Sequence, residues 1–207
     1  MNQVSQQIAQ ALLDIRAVVF TPGAPVTFKS GIVSPIYIDN RRLPYEPEAW
    51  HQIIACFQTA IDEQKLDFEV IAGIETAGIP HSAALSYAMR RPSVFVRKQA
   101  KEHGMKRRVE GGEVAGKRVL LIEDLITTGG SSLSGVEALR EEGAEVAACL
   151  AIFSYGFAQA ADAFAQASVP LITLTSLADV LQAARDTNYL APEAIEAVAK
   201  WQLSLEE

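Results

Sequence analysis

Apolar positions at Val4, Ile8, Ala11, Leu12 and Ile15 fall on one helical face, which predicts an amphipathic first helix ending before Val18 and packing as a lid or interface element. From Val18 to Arg42 that period is lost. Pro22, Pro25 and Pro35 interrupt short β-prone runs such as VVF and PIYI, so irregular strands are expected there. Pro47 then opens a helix whose Trp50, Ile53, Ile54, Phe57 and Ile61 share a face suited to covering a sheet. From Glu69 onward the apolar runs VIAGI, SVFVR, RVLLIED, EVAACLAIF and PLITLTS alternate with helical patterns. The helices are expected near Gly78 to Met89, Ser131 to Glu142 and Phe157 to Gln166, with a last one from Pro192 through Trp201.

Strand, helix, strand alternation predicts an α/β fold, with a mainly parallel sheet flanked by helices, because parallel neighbours need crossover connections. The near-continuous apolar runs read as strands buried on both faces. Ligands of open α/β sheets bind beyond the carboxyl ends of the strands, which directs attention to the residues following VIAG, SVFV and RVLLI. At 207 residues and 49% hydrophobic composition, the chain is expected to form a single domain over residues 1–207 around one sizeable core. No continuous apolar run is long enough to span a bilayer and no leader pattern is found at the N-terminus, so a soluble cytoplasmic protein without membrane partners is expected.

The formal net charge of -7 argues against nucleic acid as a partner, since phosphate affinity of that kind rests on excess Lys and Arg. An anionic ligand must meet a local basic cluster. Six of the 18 Lys and Arg residues, Arg97, Lys98, Lys101, Lys106, Arg107 and Arg108, stand with His103 in one polar stretch punctuated by Gly104, Gly111, Gly112 and Gly116. An ordinary solvated loop is the plain reading; on an acidic chain a movable anion-binding loop is the sharper one. Cys56 and Cys149 form neither a disulfide framework nor a metal spacing and read as small buried hydrophobes.

The most informative segment is VLLIEDLITTGGSS, Val119 to Ser132. An apolar strand ends in Glu123 and Asp124, and a turn containing Thr127, Thr128, Gly129, Gly130 and Ser131 leads into a helix. Glycines that permit a tight turn, hydroxyls and free helix N–H groups suit a phosphate without any Lys. Carboxylates accept hydrogen bonds from ribose hydroxyls, so the whole describes a ribose 5-phosphate site. The plain alternative is a strand end followed by a Ser N-cap. No G-x-G-x-x-G follows the first sheet strand, which counts against a dinucleotide-binding domain.

This run resembles the phosphoribosyl pyrophosphate signature of the type I phosphoribosyltransferases. The resemblance implies their fold, with a small N-terminal hood drawn from about residues 1–45 and the C-terminal segment. It also implies that Glu123 and Asp124 hold the ribose hydroxyls while Thr127 to Ser131 cradle the 5-phosphate, with Leu125 and Ile126 also among the residues that bind phosphoribosyl pyrophosphate. Arg97, Lys98, Lys101 and His103 match the R-K-x-x-K-x-H catalytic loop of the orotate phosphoribosyltransferases, which closes over pyrophosphate and commonly serves the neighbouring subunit. A homodimer with a shared loop is therefore expected.

Lys101, His103 and Asp124 are the catalytic candidates, Lys101 first; His103 relays a proton or only binds phosphate, and the sequence leaves both open. GIETAGIP matches the pyrophosphate-binding loop of that family, with Glu75 to Gly78 as contributors, though alone it is a plain strand-to-helix turn. FKSGIVSPIYIDNR, Phe28 to Arg41, is similar to the acceptor segment of the orotate enzymes, and it implies orotate contacts from Lys29 and Tyr37, with Thr127.

Some members carry an Arg after the fourth sheet strand, where this chain reads AIFSYGFAQA; Tyr155 is the polar candidate in its place. The implied reaction joins orotate to phosphoribosyl pyrophosphate with Mg2+, held mainly by the pyrophosphate substrate and by no dedicated protein site. A purine or uracil phosphoribosyltransferase, a regulator that senses phosphoribosyl pyrophosphate, and a dinucleotide-binding domain are the competing readings. FKSGIVSP and RKQAKEH count against the first, and the acidic charge without an added basic module against the second.

Overall fold

The computed structural model describes residues 3–21, 23–28, 30–99 and 107–205. Helix α1 (Gln3–Asp14) leads into strands β1 (Val18–Phe20), β2 (Val26–Thr27), β3 (Val33–Ser34) and β4 (Ile36–Ile38). The prolines limit these strands to two or three residues; β1 pairs antiparallel with β4, and β2 with β3. A 3-10 turn over Asn40–Tyr45 follows, and then α2 (Pro47–Glu63), with Pro47 in its first turn where no N–H is needed.

The main sheet is built by β5 (Val70–Ile74), β6 (Ser93–Val96), β7 (Val109–Glu110), β8 (Arg118–Ile126), β9 (Glu145–Ser154) and β10 (Leu171–Ser176), connected through α3 (Gly78–Met89), α4 (Gly130–Glu141) and α5 (Ala158–Gln166). Its strand order is β10-β9-β8-β5-β6-β7, parallel throughout except for β7, which returns antiparallel beside β6. The chain passes from β5 outward to β6 and later to β8 on the other side. The carboxyl ends of β5 and β8 therefore flank the point where the winding reverses, the place at which open α/β sheets bind ligands.

Period-2 alternation divides the buried residues between two faces. Ile71, Leu120, Ile122, Leu150 and Ile152 join α1, α2, α6 (Leu177–Asp186) and α7 (Pro192–Leu203) in one apolar cluster. Ala72, Ile74, Val119, Leu121 and Ala151 join α4 and α5 in the other. A bulge opposite the Val119–Leu120 step resets β9, so Val146 and Ala148 face opposite clusters although they are two residues apart.

Two readings from the pattern change here. Helix α1 is not a lid: Ile8, Leu12 and Leu13 are fully buried against α6 and β10, and the Thr175 hydroxyl donates to the Ser5 carbonyl at 3.0 Å. Helix α6 was not anticipated, because β10 runs into it without a loop. Its start is nonetheless marked by a reciprocal Ser176–Asp179 capping box, which satisfies two otherwise open N–H groups. Cys56 and Cys149 are buried, as expected of small apolar side chains. Among the described residues no helix is long and apolar enough to cross a membrane.

Candidate active site

Strand β8 delivers two neighbouring carboxyl groups to different environments. Glu123 keeps the phase of Val119 and Leu121 and turns beneath α4, where it is 5% exposed. There it accepts from the Ser132 hydroxyl at 3.1 Å and from the Asp124 N–H at 3.1 Å. Burial, then the neighbouring Asp124 charge, pushes its carboxyl well above the usual carboxylate range. Asp124 is half-buried, and its carboxyl is also raised, by burial first, with the field of Arg41 acting in the opposite sense. The Asn40 amide, 0% exposed, donates to the Asp124 carbonyl at 2.6 Å and ties the 3-10 turn to the end of β8.

Beyond β8, Gly129 takes φ = 80°, and a Cβ there would meet the Phe164 ring at 2.9 Å, so the turn into α4 needs glycine for both reasons. No side chain caps α4, in contrast to α6; its first N–H groups and the positive end of its dipole face a cleft. That cleft has a volume of about 550 Å³ and is lined by Leu125, the Thr127–Ser132 turn, the β2 hairpin with Phe28 and Ser30, and by Tyr37 and Tyr155. One end can therefore take an anion through backbone donors, and the other offers an aromatic wall for a planar ring.

A second, small hollow of about 60 Å³ adjoins it at Ser131 and is lined by Arg97, Lys98, Arg108, Ile74, Val96 and Ser134. The β6–β7 pair is the stem of the basic stretch, and both sides of the stem are fastened. Glu75 accepts the Lys98 N–H at 2.9 Å, while Arg108 donates to the Arg97 carbonyl at 2.8 Å and to the Ser134 carbonyl at 3.0 Å. Arg97 also pairs with Glu110 at 3.2 Å. A larger hollow of about 710 Å³ near Arg107, Glu113 and Glu142 opens on the outer edge of the sheet, away from Glu123, Asp124 and the glycine turn.

Of the expected site residues, the geometry brings together Asp124, Leu125, Thr127, Thr128, Gly129, Gly130, Ser131, Tyr37 and, through Ser131, Arg97 and Lys98. Lys29, Lys101 and His103 lie outside the described residues. Ile126, out of phase with Leu125, is 1% exposed and turns its side chain to the second apolar cluster, so only its backbone is placed to take part. Tyr155 is corrected as a polar contact. Its ring forms part of the wall between Phe28 and Phe157, whereas its hydroxyl is buried and donates to the Ile36 carbonyl at 3.4 Å. Arg41 and Asn40 were missed; both stand at the end of a segment whose Lys29 and Tyr37 drew attention first.

Two buried titratable groups give opposite pH dependences of stability. His81 is fully buried on α3 and accepts from the Trp50 indole N–H at 3.0 Å, and burial lowers its pKa from 6.5 to about 4. The fold holds it neutral, so its contribution is present above pH 6.5 and lost as pH falls toward 4, up to about 3 kcal/mol. Glu123 is the reverse: the fold favours its protonated form, so that contribution is full below pH 4.5 and lost as pH rises through the raised pKa. Urea unfolding between pH 4 and 7 is expected to show His81→Phe removing a positive slope and Glu123→Gln removing a negative one.

Comparison with known proteins places this geometry. Residues 46–170 match the family model described as a phosphoribosyl transferase domain. An orotate phosphoribosyltransferase of Listeria monocytogenes is 41% identical over 204 residues, which is 99% of this chain and 98% of that protein. Orotate phosphoribosyltransferase of Mycobacterium tuberculosis H37Rv, in complex with 5-phospho-α-D-ribosyl 1-diphosphate, superposes with a TM-score of 0.66 at 29% identity, over 84% of this chain and 98% of that one. Leishmania donovani UMP synthase superposes with a TM-score of 0.84 at 29% identity; the match spans 97% of this chain but 42% of that longer protein.

Proposed function

The chain belongs to the orotate phosphoribosyltransferases, and on that premise we propose how its residues divide the reaction. It transfers the ribose 5-phosphate group from phosphoribosyl pyrophosphate to N1 of orotate, giving orotidine 5′-monophosphate and pyrophosphate in pyrimidine biosynthesis. The observation that carries the reading is the single cleft that joins an uncapped helix N-terminus over Thr127–Ser131 to an aromatic wall at Phe28, Tyr37 and Tyr155. The 5-phosphate takes the α4 end, through backbone N–H groups and the Thr127, Thr128 and Ser131 hydroxyls. Asp124 accepts from the ribose hydroxyls. Glu123, already engaged by Ser132, stands behind it and shapes the turn.

Breaking the bond from the anomeric carbon to pyrophosphate leaves positive charge on the ribose and negative charge on the departing oxygens. Lys101, with Arg97, Lys98 and His103, neutralises the leaving group, and the fastened β6–β7 stem supports this by setting both ends of the basic stretch beside Ser131. Glu75 to Gly78, the turn that follows β5 and whose Glu75 holds the Lys98 N–H, are assigned to the pyrophosphate as well. Lys29, Tyr37 and Thr127 hold orotate; Tyr155 contributes its ring face. The working unit is a homodimer in which the basic stretch serves the partner's site.

Mg2+ fits this arrangement as a guest of the substrate. Among the described residues no group of three or more His, Cys, Asp or Glu is placed to hold a metal, and of the two carboxyls Glu123 is buried. Asp124 and the pyrophosphate oxygens remain, a donor set suited to a hard cation that keeps several waters. When bound, Mg2+ supplies charge neutralisation at the departing pyrophosphate.

The test follows the fall in orotate absorbance on mixing with Mg2+ and phosphoribosyl pyrophosphate, alongside uracil, hypoxanthine and adenine. Turnover of orotate alone, reversed by pyrophosphate, is expected. Consumption of another base would move the chain to a sister specificity, and binding without turnover would favour a sensor.

A further inference from the structure

The Tyr155 hydroxyl is buried and turned to the Ile36 carbonyl, which directs attention to the other polar groups at the aromatic end of the cleft. At the same aromatic end, the Tyr37 hydroxyl accepts a hydrogen bond from Arg41 Nη2 at 2.6 Å. The same guanidinium is held by Asp39, whose carboxylate accepts from Arg41 Nε at 2.6 Å. A guanidinium has donors only, so the phenol cannot donate back to it; its single proton must point to another acceptor. Among the described residues the Tyr37 hydroxyl donates to none, and Tyr37 lines the cleft. Burial, opposed by Arg41, raises the Tyr37 pKa, which keeps that proton on the oxygen.

We infer that Arg41 is a specificity-determining positioning residue: it fixes the Tyr37 hydroxyl as a donor into the cleft and adds a positive field at that end of it. The inference rests on the proposed contact between Tyr37 and the base. The geometry has three consecutive parts. Asp39 orients the guanidinium, the guanidinium occupies a phenol lone pair, and the phenol proton meets a carbonyl or carboxylate oxygen of the ring. A neutral or less oxygenated base takes less from both the donor and the field, which links the pair to discrimination among bases.

Stability is not what the pair is for. The Arg41 side chain is 61% exposed, and exposed ion pairs contribute little to folding, so its removal leaves a folded protein. The test is a double-mutant cycle with Arg41→Gln, Tyr37→Phe and both together, plus Arg41→Lys, reading KM and kcat for orotate, KM for phosphoribosyl pyrophosphate and the thermal midpoint. Each single variant should raise the orotate KM about tenfold, the double variant no further, and Arg41→Lys should recover part of the loss. The phosphoribosyl pyrophosphate KM and the thermal midpoint should stay close to wild type.

Independent, multiplying effects of the two substitutions, or an unchanged orotate KM in Arg41→Gln while Tyr37→Phe is impaired, would overturn the inference. An unimpaired Tyr37→Phe enzyme would instead remove the base contact on which it rests. A large drop in thermal midpoint with kcat and both KM values falling together would make Arg41 merely structural and would also overturn it.

Discussion

Gly78→Ala should lower stability by about 3 kcal/mol, or roughly 6–12 °C in thermal midpoint for a chain of this size. Gly78 opens α3 where the helix crosses β8, and a Cβ at that position would stand 2.5 Å from the Ile122 carbonyl oxygen and 3.4 Å from its carbon. The obstacle is backbone in a central strand, paired on one side with β5 and on the other with β9, so it cannot swing aside as a side chain would. Relief requires α3 to move away from the sheet. That motion would carry the Glu75–Gly78 turn with it, away from the end of β8.

Calorimetry paired with steady-state kinetics checks both consequences. A lower midpoint with a raised KM for phosphoribosyl pyrophosphate is expected, and an unchanged midpoint would mean that α3 has room to retreat from β8.

Lys101→Ala should reduce kcat by about a hundredfold to a thousandfold, the usual effect of removing one donor from a developing negative charge in a water-poor site. The orotate KM should change little, because the proposed partner of Lys101 is the departing pyrophosphate, and an interaction made chiefly in the transition state appears in kcat. The thermal midpoint should also hold, since β6, β7 and their fastenings at Glu75, Arg108 and Glu142 carry the surrounding structure without it.

Mixing Lys101→Ala subunits with Asp124→Asn subunits tests the shared loop separately. Activity reappears if each basic stretch serves its partner, because a mixed dimer then contains one intact site. No recovery would assign each stretch to its own subunit.

The Val119–Ser132 segment shows why so much of this site is legible in the residues alone. An apolar run, two carboxyls, a turn rich in Thr and Gly, and a helix start are consecutive, and each is a local preference of strand, turn or helix end. The sheet strands declared themselves in the same manner, because burial on both faces leaves an unbroken apolar run. Even the separation of Glu123 from Asp124 follows from period-2 alternation: Glu123 keeps step with Val119 and Leu121, which already point at the α4 side.

Other features depended on meetings between distant parts of the chain. Tyr155 ceased to be a polar candidate because its hydroxyl meets the Ile36 carbonyl 119 residues away, and Asn40 gained a place because its amide meets Asp124 across 84 residues. Helix α1 became a core helix only when β10 and α6 arrived to cover it. Arg41 gained its place from a shorter chain of contacts, four residues back to Tyr37 and thence into the cleft.

Local order therefore carried most of the elements and the phosphate turn, since these rest on backbone preferences and on chemistry held within a few residues, while the reaction class came from the resemblance of those runs to a known family. The direction of each polar side chain, and hence which oxygen meets a substrate and which is already satisfied inside the protein, came from tertiary packing. A good hydrogen bond needs its partner within about 3 Å, and for Asn40, 2.6 Å from the Asp124 carbonyl, folding alone supplies that partner.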